Sequence, residues 1–258
     1  MNDEVLIEQR GPVQWITINR EARRNAMNDA VTDAIATGLT AASEHPNVRA
    51  VVLTGAGDKA FCAGADLSAG SGSFKYDYSK VGLSFVKLMK QARDLTLPLI
   101  ARVNGHAMAG GLGLVGMCDM AIGVDTARFG MPEVKVGIFP MQIMAVLQRL
   151  IPSRKLYEMA LTGEPVTAAE ALELGLLNYV VPAAELDTKL DWLLSRLLDK
   201  SPTAIRRGKY AMRVTEQLTF DQSAVFMEGQ IGTLAMTEDA AEGRAAFIEK
   251  RAPVWPGR

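Results

Sequence analysis

The first half of the chain alternates short apolar runs with stretches of helical spacing. Two apolar runs, at residues 5–7 and 13–18, flank the turn Gly11-Pro12 and predict a β-hairpin. Further short, mainly apolar runs at residues 50–54 and 99–103 predict buried strands. Because helical patterns separate these strands, the order strand, helix, strand indicates an α/β layered fold with parallel pairing.

Helices in the first half are predicted from apolar positions that recur every three to four residues. One such series runs from Val31 to Leu39, and Asn28 precedes it as a suitable N-cap. A loop through Ser73 and a second helix that ends near Leu97 are predicted before the strand at residues 99–103.

The second half, from Met141 onward, has an almost wholly helical pattern. Pro182 and Pro202 fall at or near predicted helix starts, where proline is tolerated. The predicted helices cover residues 141–150, 153–161, 167–174, 183–200, 203–217 and 221–248 with a break. We therefore expect a β-rich core over residues 1–200 and a helical region over residues 201–258.

The predicted helical region carries more apolar side chains than one isolated helix can hide. We expect it to pack against the core, against a neighbouring subunit, or against both. The apolar residues concerned are Phe220, Val225, Phe226, Met227, Ile231 and Leu234.

Composition narrows the functional classes. The 258 residues are 48% hydrophobic and 22% charged, with a net charge of −1, which is typical of a globular protein and favours neither a nucleic-acid nor a membrane surface. Arg102, Asp119 and Asp125 interrupt the richest apolar stretch, and the first residues lack the apolar segment of a signal peptide. Cys62 and Cys118 lack a Cys/His cluster, so we expect reduced thiols, no metal site and a cytoplasmic location.

A glycine-rich segment from Asn104 to Gly116 is the most informative part of the sequence. It follows a predicted strand and should open a helix near Gly110. A helix N-terminus offers unsatisfied N–H donors, and glycine lets a ligand approach the main chain closely. The segment therefore suits either a phosphate or a developing oxyanion.

Two other interpretations of the same glycines remain open. Gly111, Gly113 and Gly116 match the spacing of a dinucleotide fingerprint, with Glu133 near the place of a ribose-binding acid. However, six residues separate Asn104 from Gly111, which would put the glycines inside the helix rather than in the turn. The other alternative is close helix packing by small residues.

Two further segments carry candidate chemistry. Residues 60–67 form a turn of small residues in which Cys62 has no evident activating histidine, so a structural thiol is favoured. Residues 129–133 end in Pro132-Glu133, where the carboxylate either complements a helix dipole or acts as an acid or base.

Taken together, these segments resemble the crotonase, or enoyl-CoA hydratase/isomerase, superfamily over nearly the whole chain. The motifs that carry the resemblance are Asn19-Arg20 with Arg24-Asn25-Ala26-Met27-Asn28, Phe61-Cys62-Ala63-Gly64-Ala65-Asp66-Leu67, Asn104-Gly105 with Gly110-Gly111, Phe129-Gly130-Met131-Pro132-Glu133, and Glu238-Asp239-Ala240-Ala241-Glu242-Gly243 with Ala246-Phe247-Ile248-Glu249-Lys250-Arg251. Each motif alone is moderately specific for the family, but five motifs in this order and at these separations are strong evidence of the resemblance.

The resemblance implies an α/β fold of the crotonase/ClpP-like kind, a spiral of ββα units followed by a helical trimerisation region. It implies that the backbone N–H groups of Ala65 and Gly110 form an oxyanion hole. It also implies a binding site for a CoA thioester, in which CoA is part of the substrate and no separate cofactor is needed. The residues implied in that binding are Arg24, Ala26, Ala63, Ala65, Asp66, Leu67, Ser68, Gly110, Pro132 and, less directly, Lys250.

The resemblance also defines a departure. Hydratases of the family use two glutamates, one matched by Glu133, while the other should fall at Gly113, which has no side chain. Two carboxylates suit the addition of water across a double bond, whereas one suffices to move a proton between two carbons. Hydration of a 2-enoyl-CoA and a 3,2-double-bond shift are therefore both expected possibilities, with Glu133 as acid and base.

Several residues near these motifs are weaker candidates. Met141 and Met144 either border an apolar acyl tunnel or belong to the core of the following helix. His106 is expected to be a packed or surface residue rather than an acid or base. Replacement acids for Gly113 are sought among Asp125, Gln142 and Asp77.

The sequence thus predicts an enzyme that acts on an enoyl-CoA thioester through a stabilised enolate. A decarboxylase, hydrolase or lyase of the same fold and a catalytically silent acyl-CoA binder are the alternatives. The expected partners are a small acyl-CoA substrate and further copies of the chain in a homo-trimer or hexamer, without nucleic acid or membrane.

Overall fold

A computed structural model describes residues 3–68, 78–79 and 81–258. The end of the predicted loop at Ser73 and the candidate acid Asp77 lie outside the described residues.

The larger of two sheets is built from an N-terminal hairpin and a series of parallel strands. The predicted hairpin is confirmed, since β1 and β2 pair antiparallel from Val5 opposite Ile18 to Arg10 opposite Val13. The remaining neighbours in the order β1-β2-β3-β5-β7-β10 are parallel, as the succession of strands and helices predicted. Its strands are β1 (Val5–Arg10), β2 (Val13–Ile18), β3 (Ala50–Gly55), β5 (Leu99–Val103), β7 (Met120–Val124) and β10 (Tyr179–Val181).

The smaller sheet receives the second strand of each successive unit. After β3, β5 and β7 the chain adds β4, β6 and β8 in parallel to one another, and β9 closes the edge in the antiparallel direction. Each of these three successive units therefore contributes one strand to each sheet, which produces the spiral. The strands are β4 (Ala60–Cys62), β6 (His106–Met108), β8 (Arg128–Gly130) and β9 (Val166–Thr167).

Helices cover the sheets and make up most of the second half of the chain. Asn28 caps the first helix as predicted, because its side chain accepts a hydrogen bond from the Val31 N–H at 2.8 Å. Pro202 is the first residue of its helix, also as predicted. The helices are α1 (Asp29–Glu44), α2 (Ser84–Asp94), α3 (Gly110–Gly116), α4 (Met141–Leu147), α5 (Ser153–Thr162), α6 (Ala168–Glu173), α7 (Leu186–Leu198), α8 (Pro202–Thr215), α9 (Phe220–Leu234) and α10 (Glu238–Glu249).

The expectation of an almost wholly helical second half is wrong at two places. Strand β9 pairs with β8, and strand β10 pairs with β7 and so extends the larger sheet. Both strands are only two or three residues long, which is too short for an alternating pattern to stand out from the neighbouring helical spacing.

One buried apolar cluster joins the two sheets to the helices. Phe61 and Phe129 of the smaller sheet are fully buried together with Leu53 and Ile100 of the larger one. Leu112 of α3 belongs to the same cluster. The chain segments that follow β4 and β6 are therefore fixed to a rigid core at the point where the candidate site lies.

Asp119 links helix α8 to the core. Asp119, which precedes β7, accepts hydrogen bonds from the Leu99 N–H at 2.8 Å, Lys209 Nζ at 2.5 Å and Arg213 Nη2 at 2.9 Å. Burial lowers the pKa of Lys209, and the neighbouring Asp119 carboxylate opposes that effect. Asp119 thus supplies the counter-charge for two cations from the helical region.

We predict that Asp119→Asn lowers the free energy of unfolding by about 2–3 kcal/mol, because the largely buried Lys209 loses its counter-charge and Arg213 keeps only its pair with Glu216. Urea unfolding measures the change. Asp199→Asn is the matched control, since that carboxylate forms an exposed pair with Lys200 and should contribute little. Equal effects of the two substitutions would contradict the account.

Candidate functional site

A cavity of about 550 Å³ lies where the loop after β4, the start of α3 and the turn at Pro132–Val136 meet. Among the residues that line it are the predicted Ala63, Ala65, Leu67, Gly110, Pro132 and Glu133. The structure therefore brings together residues that are far apart in the sequence. A cavity of this size, mostly apolar with a few polar groups, is typical of a small-molecule site.

Two backbone N–H groups at the cavity are unpaired. The backbone groups on either side of the Ala65 N–H both form hydrogen bonds with Met27. Gly64 O accepts from the Met27 N–H at 2.8 Å, and the Asp66 N–H donates to Met27 O at 2.7 Å. Gly110 is the first residue of α3, where a helix leaves its N–H groups free. Neither Ala65 nor Gly110 donates its N–H to an acceptor within the described part of the chain.

The two N–H groups lie close together. A Cβ placed on Gly110 would lie 3.9 Å from the Ala65 nitrogen, and one placed on Gly64 would lie 3.4 Å from the Gly110 nitrogen. Gly64 has a φ of +98° and abuts Ala109, so a side chain there would be both strained and obstructed. Two free donors at one wall of a cavity are suited to stabilise an oxygen that gains negative charge.

The other glycines of the segment serve close packing. Gly111, Gly113 and Gly116 all lie inside α3, which removes the turn that a dinucleotide fingerprint requires. A Cβ on Gly111 would overlap the Cys62 carbonyl, and one on Gly116 would come within 2.9 Å of Leu147. The structure thus favours packing for these two glycines and gives no support to the dinucleotide interpretation.

Arg20 ties the loop of Ala65 to its neighbours, a role that the sequence did not suggest. Its guanidinium donates to Ala26 O at 2.5 Å, forms an ion pair with Asp66 at 2.8 Å and another with Glu4 at 2.7 Å. Hydrogen bonds from Ser68 and Arg20 lower the pKa of Asp66 to about 2. The only sequence signal was the position of Arg20 in the motif Asn19-Arg20, which does not reveal the partners.

Two buried asparagines form hydrogen bonds at the start of β4, the strand that leads into the loop of Ala65. Asn25 donates through Nδ2 to Ala60 O at 2.7 Å, and Asn104 donates to the same oxygen at 3.3 Å. Asn104 also accepts from the Gly55 N–H at 3.1 Å. Both motif asparagines therefore hold the start of β4, and so the loop that carries Ala65, rather than facing the cavity.

Glu133 is a partly buried carboxyl group in the cavity wall. It lies in the first turn of the short 3-10 helix Pro132–Val136, as Pro132 at its start allows. Its Oε2 is buried and has no hydrogen-bond partner among the described residues. Burial raises the pKa of Glu133. A carboxyl group with a raised pKa and an unsatisfied oxygen in a cavity can serve as an acid or a base.

The wall beside α3 is apolar. A Cβ on Gly113 would overlap Ile143 Cγ2 and would lie 3.1 Å from Phe85 Cζ. Ile143 of α4 and Phe85 of α2 both line the cavity. The position at which a second carboxylate was expected is thus occupied by hydrocarbon.

The other predicted binding residues do not line the cavity. Arg24 is exposed and has a left-handed φ of 50°, and Lys250 is exposed at the end of α10 with a φ of 53°. Ser68 follows Asp66 and donates to it, and Ala26 accepts from Arg20. Arg24, Ala26 and Ser68 therefore belong to segments beside the loop of Ala65, whereas Lys250 lies in the C-terminal region.

The weaker sequence candidates differ in whether they line the cavity. Met141 lines the cavity and is 73% exposed, whereas Met144 packs against the core. Gln142 also lines the cavity but cannot titrate. His106 Nδ1 accepts from the Arg128 N–H at 3.1 Å on the surface, outside the cavity.

Asp125 and the cysteines are likewise unsuited to the chemistry. Asp125 lies outside the cavity, and its backbone N–H donates to Val181 O at 2.9 Å. Burial raises the pKa of Cys62 to about 12 and also raises that of Cys118, so neither is a thiolate nucleophile. In the described segments there is no group of three or more His, Cys, Asp or Glu side chains that could hold a metal ion.

Comparisons with known proteins cover nearly the whole chain. The family described as Enoyl-CoA hydratase/isomerase matches residues 8–258. Enoyl-CoA hydratase EchA19 of Mycobacterium tuberculosis is 36% identical over 99% of this chain and 97% of its own. Carnitinyl-CoA dehydratase of Salmonella typhi is 32% identical over 100% of both chains.

A solved structure agrees with these relatives. The crystal structure of enoyl-CoA hydratase from Mycobacterium smegmatis superimposes with a TM-score of 0.91 at 33% identity, over 98% of each chain. The predicted spiral of ββα units is thereby confirmed as the fold.

We predict that Gly110→Pro abolishes turnover, because it deletes one of the two free N–H groups; it also strains the preceding Ala109, whose φ of 51° and ψ of −127° do not suit a residue before proline. Gly110→Ala is the matched control, since it keeps the N–H, its Cβ is too close only to the flexible end of Met27, and it stays at van der Waals distance, 3.9 Å, from the Ala65 nitrogen. Steady-state kinetics and circular dichroism measure the pair. A folded Gly110→Pro protein with normal activity would show that the donor pair is misplaced.

The raised pKa of Glu133 predicts the acid side of the pH profile. As a base Glu133 must be ionised, so kcat/KM should fall as the pH drops through its pKa, above the ordinary glutamate value of about 4.3. The measurement is kcat/KM against pH with an enoyl-CoA substrate. A profile that stays flat down to the ordinary value would exclude this role.

Proposed function

Since the chain belongs to the enoyl-CoA hydratase/isomerase family, we propose that it acts on an enoyl-CoA thioester through an enolate-like intermediate. The thioester oxygen would accept hydrogen bonds from the Ala65 and Gly110 N–H groups. Removal of a proton from the α-carbon moves negative charge onto that oxygen. One preorganised donor of this kind is typically worth about 3–4 kcal/mol of transition-state stabilisation.

Glu133 is the proposed acid and base. The observation that carries the proposal is its buried Oε2 without a partner in the described chain, in the same cavity as the two free N–H groups. Leaving a buried carboxylate oxygen unpaired is costly, so an active role explains an arrangement that packing alone does not.

The reaction that fits best is a 3,2-double-bond shift. Glu133 would take a proton from the α-carbon of a 3-enoyl-CoA, the double bond would move into conjugation with the thioester, and Glu133 would return the proton to the γ-carbon. One carboxylate is enough for this transfer. The glycine at position 113 supports the shift over hydration, because a second carboxylate is missing there.

Hydration of a 2-enoyl-CoA is the second candidate. Its support is that relatives bear the names of hydratases, such as the Short-chain-enoyl-CoA hydratase of Clostridium acetobutylicum. A decarboxylase, hydrolase or lyase with the same donors and a silent acyl-CoA binder remain as further alternatives. Loss of turnover on removal of the Glu133 carboxylate would count against the silent binder.

The CoA moiety is proposed to lie beside the loop of Ala65. Ala63, Leu67 and Pro132 line the cavity, which supports their contact with the substrate. CoA enters as part of the substrate, so no further cofactor is proposed. The remaining residues proposed for CoA binding are Arg24, Ala26, Asp66, Ser68 and Lys250.

Assembly into a homo-trimer or hexamer is proposed from the C-terminal region, residues 201–258. Helix α9 buries none of its residues, and Phe220 in it is 84% exposed. Phe247 of α10 is 85% exposed. Apolar surface of this extent favours coverage by neighbouring copies. A monomer in light scattering would contradict the proposal.

The proposed setting is the cytoplasm, because Cys62 and Cys118 are free thiols as expected in a reducing compartment. No described helix is long and apolar enough to cross a membrane. The acyl-CoA substrate is the proposed small-molecule partner, and nucleic acid is not expected at a net charge of −1.

The decisive experiment is product analysis in deuterated water with 2-enoyl-CoA and 3-enoyl-CoA as separate substrates. We predict that the wild-type protein converts the 3-enoyl thioester to the 2-enoyl isomer and forms little 3-hydroxyacyl-CoA. Glu133→Gln is nearly isosteric but cannot take up the proton, so turnover should fall by at least about 100-fold. Near-wild-type turnover in Glu133→Gln would refute the role assigned to this residue.

A further inference from the structure

Position 113 is closed by side chains from two other helices. Ile143 Cβ would lie 3.2 Å from a Cβ on Gly113, and Ile143 Cγ2 would overlap it. Because Cγ2 is attached directly to the branched Cβ, and β-branched residues are stiff at χ1, rotation alone does not clear the space. A side chain at position 113 therefore requires α4 itself to move.

Phe85 completes the closure from α2. Its Cζ would be 3.1 Å from the same Cβ, and both Phe85 and Ile143 reach the cavity surface. Ile143 is 3% exposed and belongs to the main apolar core, and Phe85 packs against that core. The wall is thus a fixed apolar surface rather than a vacant place left by the missing carboxylate.

The apolar wall limits the polar partners of a water molecule beside α3. The uncharged polar residues of the cavity lining are Asn28, Thr32, Ser84 and Gln142. A water positioned for attack needs two or more polar partners, and hydrocarbon offers none. Glu133 and Asp29 are the acids among the described residues that line the cavity, and Asp29 is exposed in the first turn of α1, where a carboxylate complements the helix dipole.

We propose that Ile143 and Phe85 determine the reaction specificity of the site by excluding a nucleophilic water from the wall beside α3. Water addition would place OH on the β-carbon and a proton on the α-carbon. With that water excluded, the 2-enoyl thioester is not hydrated, and the dienolate formed by removal of the α-proton of a 3-enoyl thioester is protonated by Glu133 at the γ-carbon. This inference rests on the proposed enolate chemistry and adds which residues choose its outcome.

A purely structural role is the competing explanation, and Leu147 provides the matched control. Leu147 is fully buried on α4 one turn after Ile143, and its Cδ2 would lie 2.9 Å from a Cβ on Gly116. It thus fills the space above a glycine of α3 as Ile143 does, but it does not line the cavity. Truncation of either residue costs core packing, whereas only Ile143 borders the reacting groups.

The test is the ratio of 3-hydroxyacyl-CoA to isomerised enoyl-CoA formed from a 3-enoyl-CoA, with a 2-enoyl-CoA assayed in parallel, in water labelled with oxygen-18. We expect Ile143→Ala to raise the ratio by about tenfold or more, with labelled oxygen on the β-carbon. Phe85→Ala should also raise this ratio. Because Phe85 lies on a half-buried helix, this variant replaces Ile143→Ala in the test if Ile143→Ala folds poorly. Leu147→Ala should lower the melting temperature and leave the ratio unchanged.

A double substitution sharpens the test. Gly113→Glu alone should fold poorly because of the overlap with Ile143, while Gly113→Glu with Ile143→Ala should fold better and raise the ratio further. An unchanged ratio in folded Ile143→Ala and Phe85→Ala would overturn this inference, and the loss of turnover in Glu133→Gln would still support the proposed enolate chemistry. Predominant hydration by the wild-type protein would overturn both this inference and the proposed double-bond shift.

Discussion

The structure depends on holding two backbone N–H groups side by side without giving either of them a partner. The Ala65 amide stays free because its neighbours are bound to Met27 on both sides, and the Gly110 amide stays free because it begins a helix. Arg20, which contacts Ala26, Asp66 and Glu4, holds the loop of Ala65, while close packing of Gly111 on Cys62 holds the start of α3. Glycines, buried ion pairs and the two sheets together hold the N–H groups of Ala65 and Gly110 in place.

Much of this arrangement could be predicted from the sequence, and the rest depends on contacts between distant segments. The hairpin, the Asn28 cap and the opening of α3 near Gly110 follow from local patterns, and the structure confirms them. Strands β9 and β10 were missed because two or three residues carry no detectable period. The partners of Arg20 and the closure of Gly113 by Ile143 arise only when remote segments pack together.

The fold and the outcome of the reaction are determined by different parts of the site. The family membership and the free donors support a thioester substrate, and they would serve hydration and isomerisation equally well. The proposed choice between them lies in the lining, where one partly buried carboxyl group, Glu133, faces a cavity whose α3 wall is hydrocarbon.

Exchange of the α-protons of a saturated acyl-CoA with deuterated water tests the central claim most directly, because such a thioester can form an enolate but can neither isomerise nor add water. Mass spectrometry of butanoyl-CoA after incubation measures the exchange. The account predicts that the wild-type protein introduces deuterium at the α-carbon and that Glu133→Gln binds the thioester without exchange. Tight binding without exchange by the wild-type protein would contradict it.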